Sequence, residues 1–586
     1  MHRRTFVLGL AGVGAAASLP TAPAAAAAAL ATAPAAGART SAAPALLPVG
    51  AVGDGVADDT QALQDLLDAS AASGAAAVVP AGTYRCTRSL LLSSGTALHL
   101  EGGAHLLKDW AARPGLVNAF LRNVDFGTRS DRVSITGPGT IGAVDHSRTG
   151  VVLALYGDDV RLRDFTIDTY AGGQAILFAG DRGRIDAVTI RGSAPAFGTG
   201  GIRMFGGEDF VATGCHVESG DDCLQFVPIG DPTAVLHDLS IRRGSYVACT
   251  GASSASRFMV ASLEWTSGEG GMTSSVTDCS FVACHGSGAD RGIVVKNTHS
   301  SGAIERVSFV DCSVDMAGAS DADTQEIRIQ TGATSTGAIR DVSFTRTSIT
   351  RPVNATLRIG GPNISGVTFD GCTFTAPSGA GATIAVVDAA DRVTFRRCTV
   401  AAAPGKRPLT VGPVTQVTDL LVDGCRFTEI PDGVWGINLV AVDGARIVGT
   451  SFAAAAGSTT ARAVRITAAS RRVVLVDDDL TGLTNRTPVT DAAPDTVLRG
   501  NVGASTEAAG TATIPPGATS VTVPHGLAGS GRVPGPSHVG VMPVSGSAAT
   551  SGWFVTAITA TSFRIAVPTP LGQPAELAWR VDLTRR

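Results

Sequence analysis

The segment Glu218-Ser219-Gly220-Asp221-Asp222-Cys223-Leu224 carries the residues in this chain best suited to chemistry. Two adjacent carboxylates behind a glycine fit acetal cleavage: one neutral carboxyl protonates the leaving oxygen while an ionised one activates water. In an inverting reaction the two groups stand roughly 6.5–9.5 Å apart to admit that water. Neighbours on a regular strand point to opposite faces, so Gly220 is expected to bend the chain and turn both carboxylates outward. The same pair would also suit a turn cap, or a Ca²⁺ held between turns of chain. Asp221 is read as the acid and Asp222 as part of the base, helped by Glu264 or another carboxylate. Glu264-Trp265 sets a carboxylate beside a flat ring on which a sugar can stack, and Asp290-Arg291, Lys296, Arg203 and Glu208 add charge nearby in sequence. Each of these charges, taken singly, also fits a solvated surface. His285 and His299 read as ordinary loop histidines, and no His/Cys spacing suggests a metal, so no cofactor is expected.

These residues must be held by a repeating scaffold. A pattern apolar-x-apolar-x-x-(Cys or small)-x-apolar recurs, as in Val307-Ser-Phe309-Val-Asp-Cys312-Ser-Val314 and Val367-Thr-Phe369-Asp-Gly-Cys372-Thr-Phe374. Its central position falls at 165, 215, 244, 279, 312, 347, 372, 398, 425, 450 and 478. One unit of two short strands buries nothing alone; stacked units bury a continuous core. The reading is an all-β chain, a right-handed parallel β-helix with an N-terminal capping helix and a small C-terminal β-sandwich. Cys215, Cys279, Cys312, Cys372, Cys398 and Cys425 share one slot, which predicts a ladder of buried small residues rather than disulfides. Between 215 and 347 the steps lengthen to 29, 35, 33 and 35 residues, against 25 to 28 later, so loops leave the scaffold beside the aspartates.

The ends divide the chain. Arg3-Arg4 before the short apolar run Phe6 to Leu19 resembles a twin-arginine signal peptide over 1–36, followed by a disordered lead-in over 37–47. This predicts a secreted protein that folds before export, and the apolar run is too short for a membrane span. The β-helix is expected over 48–502 and the sandwich over 503–586, where Trp553 and Trp579 read as core. A net charge of -4 without a basic cluster excludes a nucleic-acid partner. Assembly is expected to be a monomer or a homotrimer.

Two stretches resemble known proteins. Gly53-Asp54-Gly55-Val56-Ala57-Asp58-Asp59-Thr60-Gln61 followed by Val78-Val79-Pro80-Ala81-Gly82-Thr83-Tyr84 resembles the start of pectate-lyase-like β-helices, with Asp58 or Asp59 capping the helix. Cys215-x-Val217-x-x-Gly220-Asp221-Asp222-Cys223 resembles the Gly-Asp-Asp-Cys motif of the polygalacturonase family, glycoside hydrolase family 28. Arg291-Gly292-Ile293-Val294-Val295-Lys296 is similar to its Gly-x-Arg-Ile-Lys strand. The resemblance implies a general acid at Asp221, a base at Asp222 and a substrate-binding cation at Lys296. The family's other aspartate falls on Gly200, its histidine is missing near Ala255-Ser256-Arg257, and its arginine is Val294, which argues against a uronate substrate. A secreted glycoside hydrolase acting on a polysaccharide or oligosaccharide is the first expectation, with Arg203, Arg291, Lys296 and Trp265 on the substrate. A polysaccharide lyase or intramolecular fructotransferase on the same fold, or a non-catalytic glycan-binding or adhesive protein, stay open; a lyase would take Lys296 or an arginine as base, with Ca²⁺ on the aspartates.

Overall fold

Val, Ile, Thr and Phe alternate over short runs, and many runs end at a residue with left-handed backbone torsions, so the chain turns a corner after each strand. The computed structural model describes residues 45–583 except 112–117, 149, 197, 229–238, 265–271, 318–324, 334, 379–382, 486–487, 494, 504–505 and 528–532. The export signal, most of the lead-in and Trp265 therefore lie outside the described residues.

One coil shows how the rest are built. Strand Arg291–Asn297 is followed by a turn, strands Ala303–Glu305 and Ser308–Val310, a corner, and strand Ser313–Asp315. Each pairs in parallel with its counterpart one coil on: Ile293 with Ile327, Phe309 with Phe344, Val314 with Ile349. Repetition from Asp54 to Arg499 gives the three parallel faces of a right-handed β-helix. At one corner the left-handed position alternates in charge over eight coils, Arg132, Asp159, Arg182, Asp209, Arg243, Asp278, Arg306 and Asp341. The exposed pairs Arg182–Asp159, Arg243–Asp209 and Arg306–Asp278 close at 2.9, 2.8 and 2.6 Å, and solvent screening keeps their contribution to stability small.

Inside, Tyr246, Phe281, Phe309, Phe344, Phe369 and Phe395 stack with ring centroids 4.7–5.4 Å apart, close to the spacing of paired strands. All ten cysteines are buried and unpaired. The ladder's register differs from the sequence reading in two coils. Ser280 pairs with Ser308, so Cys279 lines up with Val307, and the small slot is filled by Cys249 and Cys284 instead of 244 and 279. The pattern misled because Cys279-Ser-Phe281-Val-Ala-Cys284 offers a cysteine at both ends of one strand.

The N-terminal helix Thr60–Ser73 (α1) lays Leu63, Leu66 and Leu67 over the open end of the coil stack. Asp59 occupies the N-cap position without capping: its carboxylate accepts the N–H groups of Val52 and Gly53. Asp58 accepts Thr60 N–H and so does the work at the helix start. At the other end, two three-stranded antiparallel sheets enclose a separate core of Ile514, Val523, Phe563, Ile565 and Leu577. Trp553 and Trp579 pack against that core, Trp579 edge-on to Phe563 at 5.6 Å.

Candidate active site

Gly220 bends the chain between strands His216–Ser219 and Leu224–Phe226, and it does so in a crowded corner where a Cβ would sit 2.1 Å from the Ala194 carbonyl. The bend does not turn both carboxylates outward. Asp221 is partly exposed, and its Oδ2 accepts the Gly198 N–H at 2.8 Å. Asp222 is only 1% exposed. Both its oxygens are taken: Arg257 Nε and Nη2 donate to Oδ1 and Oδ2 at 2.7 and 2.6 Å, and Ser256 Oγ donates to Oδ1 at 2.8 Å. What bars Asp222 from a solvent water is its burial, with a side chain 2% exposed against 26% for Glu264. The expectation that Asp222 serves as base is corrected by its burial; it holds Arg257 in place.

Arg257 opens strand Arg257–Leu263, and Glu264 follows the end of that strand. Its guanidinium joins the two, with Nη1 donating to Glu264 Oε2 at 3.1 Å. Lys296, one coil on and paired with Ser262, donates to the other oxygen of Glu264. Burial alone would raise the Glu264 carboxyl, but Arg257 and Lys296 outweigh it and hold the group at about 2. Burial also opposes the charge on Arg257, and Asp222 and Glu264 more than restore it. Asp222, Arg257, Glu264 and Lys296 thus form one chain of ion pairs across three coils, its outer members with side chains 18–26% exposed. Among the described residues no Lys or Arg pairs with Asp221. Of the three carboxylates, Asp221 is thus the one that is partly exposed and has no cation partner among the described residues.

Arg203 donates to Gln225 Oε1 at 2.6 Å; burial lowers its pKa while Asp222 and Asp221 work the other way. Arg291 stands directly after Arg257 in register, pairs with Asp290, and lines an open cleft of about 1090 Å³. Arg328 and Arg358, on the next two coils, line the same cleft. Among the described residues neither has a carboxylate partner. Val294, where the resemblance calls for arginine, has Arg328 as its direct register neighbour. A guanidinium is therefore present in that column, one coil displaced, and the argument against a uronate loses its basis. Glu208 is spent on a surface pair with Arg243 at 2.7 Å, and His285 meets Ser313. Sequence reasoning missed Arg257 and Arg328; the one signal for Arg257 was that it falls where the family's histidine is expected. Among the described residues no group of three or more His, Cys, Asp and Glu is arranged to hold a metal ion.

Residues 47–125 match the family model described as rhamnogalacturonase A/epimerase, pectate lyase-like. The N-terminal coils are pectate-lyase-like. No curated protein matches the chain. Among solved structures, a family 28 exopolygalacturonase of Yersinia enterocolitica is similar at 15% identity, over 66% of this chain and 79% of that one, with a TM-score of 0.49. The tailspike of E. coli bacteriophage HK620, in complex with a hexasaccharide, is similar at 12% identity over 90% and 91%, with a TM-score of 0.48. Tailspike protein 3 of bacteriophage CBA120 is similar at 13% over 78% and 61%, with a TM-score of 0.41. Among the described residues no helix is long and apolar enough to cross a membrane.

Proposed function

We propose that this chain is a carbohydrate-active enzyme, a glycoside hydrolase exported through its twin-arginine N-terminus and acting on a polysaccharide or oligosaccharide. Asp221 is the general acid, and Glu264, kept ionised by Arg257 and Lys296, is the carboxylate that orients the water. Asp222 positions Arg257. The observation that carries this reading is the division of labour among three carboxylates: one buried and fully paired, one held ionised by two cations, and one partly exposed without a cation. Environments that separate carboxylates in this way are what acid–base cleavage of a glycosidic bond needs. Arg328 and Arg358 in the adjoining cleft, which have no carboxylate partner among the described residues, favour a substrate that carries acidic groups, because a guanidinium binds a carboxylate or sulfate through two parallel hydrogen bonds.

A second reading is supported by Arg328. Burial and the neighbouring charges of Arg291 and Arg358 lower its pKa, against the opposing pull of Glu264 and Asp290, and that is the direction an arginine base in a lyase needs. Incubation with a panel of neutral and acidic polysaccharides separates the two. A hydrolase releases new reducing ends without ultraviolet absorbance; a lyase produces an absorbing unsaturated end and loses activity on Arg328→Lys. Retention on affinity gels with neither product would leave a glycan-binding protein and end both readings.

A further inference from the structure

Trp435 opens the strand Trp435–Leu439 on the sheet edge that also carries Arg257. That edge runs from coil to coil through Arg257, Arg291, Gln325, Ala355, Thr383, Arg407, Trp435 and Arg462. Trp435 is therefore six coils beyond Arg257. At ~4.8 Å per coil the separation is about 29 Å. The guanidinium groups of Arg462 and Arg465 each lie 5.2 Å from the indole centroid. Arg407, Asn438 and Arg465 line a small cavity with Trp435, about 140 Å³ in volume. Two polar atoms at this place are buried without a partner, Asn438 Oδ1 and Arg462 Nε.

A sugar ring bearing hydroxyls can hydrogen-bond the polar groups of Arg407, Asn438 and Arg465 that line the cavity. Its C–H face suits the indole, and acidic substituents suit the surrounding guanidinium groups. Between this place and the Asp221 cluster the same side of the helix carries Arg291, Arg328 and Arg358. We infer that Trp435, Asn438, Arg407 and Arg465 form a distal subsite for an acidic glycan whose other portion lies at Asp221 and Glu264. The ligand is then a polymer, since a short oligosaccharide cannot reach both. This rests on the proposed glycan function, yet it is read by binding and not by cleavage.

The test is affinity electrophoresis of the full chain in gels containing polygalacturonate, alginate or chondroitin sulfate, with a neutral galactan as control. Trp435→Ala is expected to weaken binding to the preferred acidic polymer on the order of tenfold, the effect of losing one stacked aromatic contact. Trp435→Phe should retain most of the binding, thermal midpoints should not move, and neutral galactan should retard none of the proteins. A parent protein retarded by no acidic polymer, or equally by the neutral one, overturns the inference. So does a Trp435→Ala protein that binds like the parent, or a loss that Trp435→Phe shares together with a lowered midpoint. Retardation that depends on Trp435 with no reducing ends from any polymer would keep the subsite and reject the hydrolase.

Discussion

At the residue scale, adjacent Asp221 and Asp222 have opposite fates because one side chain enters the corner and the other leaves it. Asp221→Asn should lower turnover at least about a hundredfold, the usual contribution of a general acid, with an unchanged thermal midpoint. Glu264→Gln should lower turnover comparably in the same reducing-sugar assay. Asp222→Ala should act differently: it strands a buried guanidinium, and denaturant titration should show a loss of about 3–5 kcal/mol. Glu326 is a separate matter. It is fully buried; its Oε1 accepts the N–H groups of Val353 and Asn354 while Oε2 has no partner, and burial raises its carboxyl to about 7. The folded state therefore binds this proton more tightly than the unfolded state. Its cost is absent below the ordinary carboxyl range, grows as pH rises from 4.5 toward 7, and is complete above that. At pH 8 it amounts to about 3 kcal/mol, so Glu326→Gln should raise the thermal midpoint at pH 8 and do little at pH 4.

At the scale of strands and coils, the period was legible because every coil must fill the same interior slots with small and aromatic residues. The register of single coils was less legible. Strand Ser280–Val282 is flanked by Cys279 and Cys284, and only pairing with Ser308–Val310 decides which cysteine stacks in the ladder. The carboxylate pair could be read from Gly220-Asp221-Asp222, whereas its partner Arg257 could not, since contacts between coils join residues 35 apart. The helix start shows the same limit: Asp58 and Asp59 were visible as capping residues, but which one reached Thr60 depended on the Val52–Gly53 loop. Thiol titration tests the ladder directly. The native chain should react at no cysteine, and the denatured chain at all ten, without prior reduction.

At the scale of the whole molecule, the described residues form two large hydrophobic cores that share no residue, one running through the coils and one within the C-terminal sheets, besides a small cluster around Phe126 and Phe205. Calorimetry should resolve two transitions, and a single one would show the sandwich to be energetically part of the coil stack. Along the stack of coils the Arg257 strand that leads to Glu264, the cleft lined by Arg291, Arg328 and Arg358, and Trp435 follow one another. A polymer laid along these coils would meet Arg291, Arg328 and Arg358 in the cleft and Arg407 and Arg465 beside Trp435. The most direct test is the rate at which the parent and Asp221→Asn proteins release reducing ends from an acidic polysaccharide that both bind. The account predicts release by the parent and almost none by a variant of equal affinity and thermal midpoint. Equal release by the two would remove Asp221 from the chemistry and contradict the site.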